Sequence, residues 1–196
     1  MDGDGEDRPE ELQSMISQIR ENPEISVVAK RVKRSEGVFF KSLYEIHKLI
    51  TYLFTGKKIH FGNYSCLTKK DVGIIHKEPS LWSSYSGTIK KNIKKLNEVN
   101  SIRGMRYIGP SKMSLINLIL HSLSIIAVFK YIVLFRSFLA TLILTIIFPL
   151  KNAIYILFLT IFILFNAIIF LVSTRENEKN LKESNNNLDK ISDIIH

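Results

Sequence analysis

One group of basic side chains has a type and spacing suited to binding anions. These are Lys90, Lys91, Lys94 and Lys95. The sequence predicts a helix over residues 88–102, on which the apolar Ile89, Ile93 and Leu96 share the opposite face. A basic amphipathic helix of this kind lies on an anionic membrane surface or packs against an acidic partner. The alternative is a core helix of a small domain, with its lysine face in water.

A second group of polar residues recurs at a spacing of three, four and three within an apolar stretch. These are Ser114, Asn117, His121 and Ser124. On a helix over about 114–129 they form one stripe. In lipid such a stripe would face another helix, because an unpaired polar group in hydrocarbon is costly. Asn117, His121 and Ser124 are therefore candidates for intramembrane helix–helix contacts. Alternatively, the helix lies in the membrane interface with its stripe toward water.

The sequence contains no residue pattern that predicts catalysis. The histidines are scattered, and the spacing of His60, Cys66 and His76 matches no zinc motif. There is no glycine-rich phosphate loop and no nucleophile elbow. We therefore expect a protein that is not an enzyme and that uses no metal and no cofactor.

The elements that must position these residues include a long apolar run over residues 113–173. It carries only three formal charges, Lys130, Arg136 and Lys151. About 20 apolar residues cross a bilayer, and a single helix over 113–150 would reach about 57 Å against a core of about 30 Å. The run must therefore fold back on itself. It predicts helices over about 114–129, 131–149 and 153–173. The last two span the membrane, and the first either makes a third crossing or lies in the interface. Lys130 or Arg136 would extend to the interface.

The first 112 residues are basic, with 20 Lys and Arg against 13 Asp and Glu. We expect residues 1–9 to be a disordered acidic N-terminus and residues 10–112 to be a mostly helical cytosolic region. Its predicted elements are helices over 10–20 and 36–54, a strand over 24–30 and short strands near 59–61 and 73–75. Helix 36–54 carries an apolar stripe, and Gly56 offers it a C-terminal stop. Residues 174–196 form a short polar tail with a heptad seam that is too short to specify a coiled coil.

Positive charge before the apolar run predicts a cytosolic N-terminus. If helix 114–129 lies in the interface, the next two helices form a hairpin and both ends of the chain are cytosolic. If it spans, the tail lies on the far side. We favour the hairpin, because Arg175, Lys179 and Lys182 follow the last helix. The sequon Asn63-Tyr64-Ser65 would be glycosylated only in the lumen and so provides a topology test.

Together these features predict a mainly α-helical, multi-pass membrane protein of the endoplasmic reticulum or nuclear envelope. We expect a non-catalytic adaptor, tether or membrane-shaping protein that contacts anionic lipid head groups and one or more membrane or cytosolic proteins. Nucleic acid is not an expected partner, because no compact recognition module is visible. The alternative is a small accessory subunit of a membrane-embedded enzyme or transport complex.

Overall fold

The computed structural model describes the chain except for residues 2, 4, 34–37, 103, 105, 106, 108–113, 149–151 and 185–196. The side chains of residues 33 and 38–41 also lie outside the described part. The first half contains α1 (Leu12–Glu21), β1 (Ser26–Lys33), α2 (Val38–Thr55), β2 (Phe61–Cys66), α3 (Lys69–Ile75), α4 (Tyr85–Asn92) and β3 (Leu96–Ile102), with 3-10 turns at Pro9–Glu11 and Pro79–Trp82. The second half contains α5 (Leu115–Ala127), α6 (Lys130–Ile147) and α7 (Ala153–Ser173). The protein is thus mainly helical, as predicted, with one small sheet.

The sheet has the order β2-β1-β3, and its central strand separates two cores. Strand β1 pairs antiparallel with β2 and parallel with β3. Because side chains alternate along a strand, Val27 and Ala29 face one side and Val28 the other. The first core consists of Met15, Val27, Ala29 and Tyr64. The second core consists of Val28, Phe61, Ile75, Ile89 and Ile93.

The predicted helix over 88–102 is wrong in its second half. Helix α4 ends at Asn92, the chain turns at Ile93, and Leu96–Ile102 forms β3. The reason is tertiary, because the backbone of β3 pairs along almost the whole length of β1, which lies some seventy residues earlier in the chain. Lys90 and Lys91 therefore lie on α4, whereas Lys94 and Lys95 lie in the turn that follows it.

The predicted strand over 73–75 is also wrong, because these residues belong to α3. The Thr68 hydroxyl accepts a hydrogen bond from the backbone N–H of Asp71 at 3.2 Å, which caps the helix. The buried Asp71 carboxylate accepts a hydrogen bond from the Ser26 hydroxyl at 2.5 Å, which ties α3 to β1. The predicted helices over 10–20 and 36–54 correspond to α1 and α2, and the strand over 24–30 to β1.

The elements from α1 to β3 form one unit around the sheet, which we call the sheet domain. The acidic N-terminus packs against it from Gly5 onward. The buried Asp7 carboxylate lies 3.9 Å from the Arg31 guanidinium, and the Tyr64 hydroxyl donates to the Arg8 carbonyl at 2.7 Å. The Gly104 N–H donates to the Glu6 carbonyl at 2.9 Å. Specific polar contacts thus hold Glu6, Asp7 and Arg8 in place. The disorder expected over residues 1–9 as a whole stays a prediction.

Helices α6 and α7 are long and apolar enough to cross a membrane, by length and composition. Their large side chains are widely exposed, for example Ile146 at 80% and Leu171 at 71%. Helix α5 has 13 residues, about 20 Å at 1.5 Å per residue, which is short of a bilayer core of about 30 Å. Two described helices therefore reach the length of a span, and α5 does not.

The three C-terminal helices pack onto the sheet domain at one end. Their buried residues there are Ile126, Ala127, Val128, Phe129, Val133, Ile169 and Val172. Ile50 and Phe54 of α2 pack against this cluster, and the Phe54 ring lies 4.3 Å from that of Phe165 between centroids. An ion pair between Lys130 and Glu176 at 3.0 Å joins α6 to the segment after α7.

Candidate anion-binding site

A concavity of about 380 Å³ lies between the end of α2 and the end of α4. Five lysines line it, together with Gly56 and Ile93, and we call it the lysine concavity: Lys57, Lys58, Lys90, Lys91 and Lys94. Within the described part of the chain, none of these lysines forms an ion pair with a carboxylate. A concave surface with several uncompensated ammonium groups is suited to binding an anion.

Local structure holds the walls of the lysine concavity in place. Ile89 and Ile93 are buried in the core beneath it and fix the end of α4, so that Lys90 and Lys91 project from its last turn. On the opposite wall, the Lys58 ammonium lies 5.4 Å from the centre of the Tyr52 ring, a cation–π contact that limits its freedom.

The structure places three of the four lysines singled out in the sequence in this concavity. Of the four predicted lysines, Lys90, Lys91 and Lys94 line the concavity, whereas the exposed Lys95 does not. Lys57 and Lys58 were missed, because only the fold brings them beside residues some thirty positions later. The signal available in the sequence was a basic pair directly after Gly56, the predicted stop of α2.

The pKa of His60, which lies near this region, is lowered from its ordinary value. Burial lowers its pKa, and the ammonium of Lys48 lowers it further. Lys30 and Lys90 act in the same direction as Lys48, and the carboxylate of Glu98 opposes them. The ring is therefore held toward its neutral form. An anion close to these lysines is favoured for the same electrostatic reason.

The lysine concavity adjoins α6 through Gly56 and Arg136. Gly56, just past the end of α2, has a positive φ of +69° and its N–H donates to the Tyr52 carbonyl at 2.8 Å. The Arg136 guanidinium donates to the Leu53 carbonyl at 3.0 Å, and a Cβ on Gly56 would clash with it. A cation at the C-terminus of a helix is favoured by the helix dipole. Arg136 therefore fixes the end of α2, and with it one edge of the concavity, against α6.

The polar stripe of α5 is divided between two environments. Ser114 caps the helix, and the buried Ser124 hydroxyl donates to the Leu120 carbonyl and accepts from Arg175 at 3.3 Å. Asn117 and His121 are exposed. Three residues were predicted to make helix–helix contacts. The structure places Ser124 against Arg175, just after the end of α7, and leaves the other two at the surface.

The sequence prediction missed two buried polar atoms in the α6–α7 hairpin. These are the Ser137 Oγ and the Asn166 Oδ1, which have no hydrogen-bond partner among the described residues. The Asn166 amide donates to the Phe162 carbonyl at 2.8 Å. Asn166 interrupts the most apolar stretch of the chain. This interruption could have indicated a buried polar group there. No three His, Cys, Asp or Glu residues come together to hold a metal in the described ranges.

The lysine concavity, its junction with α6 and the exposed apolar hairpin are the features from which a function can be inferred. Comparison with known proteins finds no family model, no curated protein and no solved structure that matches the chain.

Proposed function

We propose that this chain is a non-catalytic membrane protein of the endoplasmic reticulum or nuclear envelope that holds a basic cytosolic domain against the membrane surface. Helices α6 and α7 anchor it as a hairpin, and it acts as an adaptor, tether or membrane-shaping protein. The observation that carries the proposal is the junction at Gly56, where Arg136 of α6 meets the end of α2 beside the lysine concavity. Membrane anchor and anion-binding surface are adjacent there.

The exposure of α6 and α7 supports the anchor. The core helix of a soluble protein would bury its apolar side chains, but little of either helix is buried. Soluble proteins rarely expose apolar patches of this extent. A bilayer removes this surface from water without any partner protein.

The position of α5 supports the hairpin. It packs against α2 and α4 of the basic domain as well as against α7. A helix too short to span, lying between a basic domain and two apolar helices, fits the plane of the membrane interface. In this arrangement α6 and α7 are the only crossings among the described helices, and both ends of the chain are cytosolic.

Helix α2 provides the amphipathic element that the sequence had assigned to residues 88–102. Its Ile50 and Phe54 pack on the hairpin base, while Ile46, Leu49 and Leu53 remain exposed. Apolar residues that are exposed next to membrane helices contact lipid at the interface. A hairpin flanked by such a helix suits membrane shaping as well as anchoring.

Hydrogen–deuterium exchange of the full chain in nanodiscs tests the surface contact. We expect slower exchange at residues 57–58 and 85–94 in phosphatidylcholine discs that contain phosphatidylserine than in discs of phosphatidylcholine alone. Each lysine near an anionic surface contributes about 1 kcal/mol. The triple variant Lys90→Gln, Lys91→Gln, Lys94→Gln should therefore weaken the contact about a hundredfold and abolish the difference.

The matched control changes three lysines on another surface of the same domain: Lys69→Gln, Lys70→Gln and Lys77→Gln. These residues are exposed and outside the lysine concavity, so the difference between the two kinds of disc should persist. Equal exchange of the wild-type chain in both discs would contradict the proposed surface contact.

The alternative, an accessory subunit of a membrane complex, is favoured by one feature of α5. Asn117 and His121 are exposed beside apolar residues such as Ile116, which is 70% exposed. Under this alternative, replacing both by leucine removes hydrogen bonds to a partner helix, so the assembly should shrink on native gels. The conservative Ile119→Leu should leave its size unchanged. An unchanged size for the Asn117→Leu, His121→Leu variant would exclude the alternative.

A further inference from the structure

We infer that the lysine concavity is a binding site for a multiply phosphorylated lipid head group, of the kind carried by an inositol lipid with phosphomonoesters on its ring. The inference rests on the proposed function, because it requires the basic domain to lie on a membrane. It goes further by naming the chemical class of lipid and the residues that recognise it.

The charge of the lysine concavity favours an anion that carries several negative charges. Five ammonium groups from two segments line one concavity, and the described residues supply them with no carboxylate partner. Their mutual repulsion is best relieved by an anion of high charge. Phosphatidylserine offers one net negative charge, whereas each phosphomonoester carries about 1.5 to 2 at pH 7 and presents three acceptor oxygens. Two phosphomonoesters therefore come close to matching the lysines, which bind phosphate as point charges.

The size of the lysine concavity also suits such a head group. A volume of about 380 Å³ falls within the range of about 300–1,000 Å³ that is typical of small-molecule sites. It is suited to one sugar-sized ring with its phosphates. Lys58 is restrained over Tyr52, and Lys90 is half-buried, so these two lysines lose less side-chain entropy on binding than fully exposed ones.

The position of the lysine concavity beside α6 favours a lipid as the source of the phosphates. Gly56 lies against Arg136 of α6, so one edge of the concavity lies next to a candidate membrane span. Phe135, the neighbour of Arg136 on α6, is 61% exposed. A lipid can therefore place its acyl chains along α6 while its head group reaches the five lysines. A free anion would gain nothing from this adjacency.

The test uses the full chain in phosphatidylcholine nanodiscs and measures binding by calorimetry. The probes are dioctanoyl phosphatidylinositol bisphosphate, dioctanoyl phosphatidylserine and soluble inositol trisphosphate. We expect the bisphosphate lipid to bind at least about tenfold more tightly than either other probe. Lys90→Gln, Lys91→Gln, Lys94→Gln should weaken its binding about a hundredfold. The control Lys69→Gln, Lys70→Gln, Lys77→Gln should leave it within about twofold.

The pair Lys57→Gln, Lys58→Gln, on the other wall, should also weaken binding and serves as a second variant if the triple variant is unstable. Equal binding of the serine and bisphosphate lipids would overturn the inference while leaving the proposed function intact, since exchange protection in anionic discs would persist. Equal binding of soluble inositol trisphosphate and the lipid would overturn the assignment to a lipid. Loss of both lipid binding and exchange protection would overturn the inference and the proposed function together.

Discussion

Gly56→Ala should lower the free energy of unfolding of the full chain by about 2–3 kcal/mol. A left-handed conformation costs a residue with a Cβ about 1–2 kcal/mol, and Gly56 has a φ of +69°. The added methyl group also clashes with the Arg136 guanidinium and displaces it from the Leu53 carbonyl. A hydrogen bond from a charged donor contributes about 1.5–3 kcal/mol. Because Arg136 is exposed and its charge is screened by solvent, we expect the loss of this bond to cost less than that. Thermal unfolding in detergent, followed by the fluorescence of Trp82, measures the change.

Gly73→Ala is the matched control. Gly73 lies inside α3, where an added Cβ meets nothing within 4 Å, so this change should be neutral or stabilising by up to about 1 kcal/mol. Repeating Gly56→Ala in an Arg136→Leu background separates strain from contact, because only the strain should remain. If Gly56→Ala were as mild as Gly73→Ala, the end of α2 would not be fixed against α6 as described.

The two charges in α6 show what a sequence can and cannot predict about a membrane helix. The sequence predicted that Lys130 or Arg136 would extend to the interface. In the structure each has a protein partner: Glu176 for Lys130, and the Leu53 carbonyl for Arg136. Glu176 is 46 positions from Lys130, and Leu53 is 83 positions from Arg136, so no local pattern could have indicated either pair.

Elements with a long local pattern were predictable, and those that depend on distant pairing were not. Helices α2, α6 and α7 follow from extended apolar patterns and a glycine stop. Strand β3 was missed because Leu96 happens to continue the helical spacing of Ile89 and Ile93, while its real partner is β1. For the same reason the sequence did not indicate that Lys57 and Lys90 line one concavity, because only the folded domain brings them together.

The topology of the hairpin is the second prediction with a large effect, because its readout is all or none. With α5 in the interface and α6 and α7 as the crossings, we predict that the basic domain and the tail lie on the cytosolic side. A third crossing would move the tail into the lumen, away from the lysine concavity. A luminal basic domain would put the lysines out of reach of the cytosolic leaflet, whose anionic lipids attract basic segments.

Glycosylation mapping in microsomes is the most direct test of this arrangement. Acceptor sites are the natural Asn63, one added before Met1 in case the fold hinders Asn63, one inserted between α6 and α7, and one added past His196. We predict a glycan only on the site between α6 and α7. A glycan past His196, with Asn63 and the N-terminal site unmodified, would show three crossings and contradict the hairpin. A glycan on Asn63 or on the site before Met1 would place the lysine concavity in the lumen and contradict the central claim.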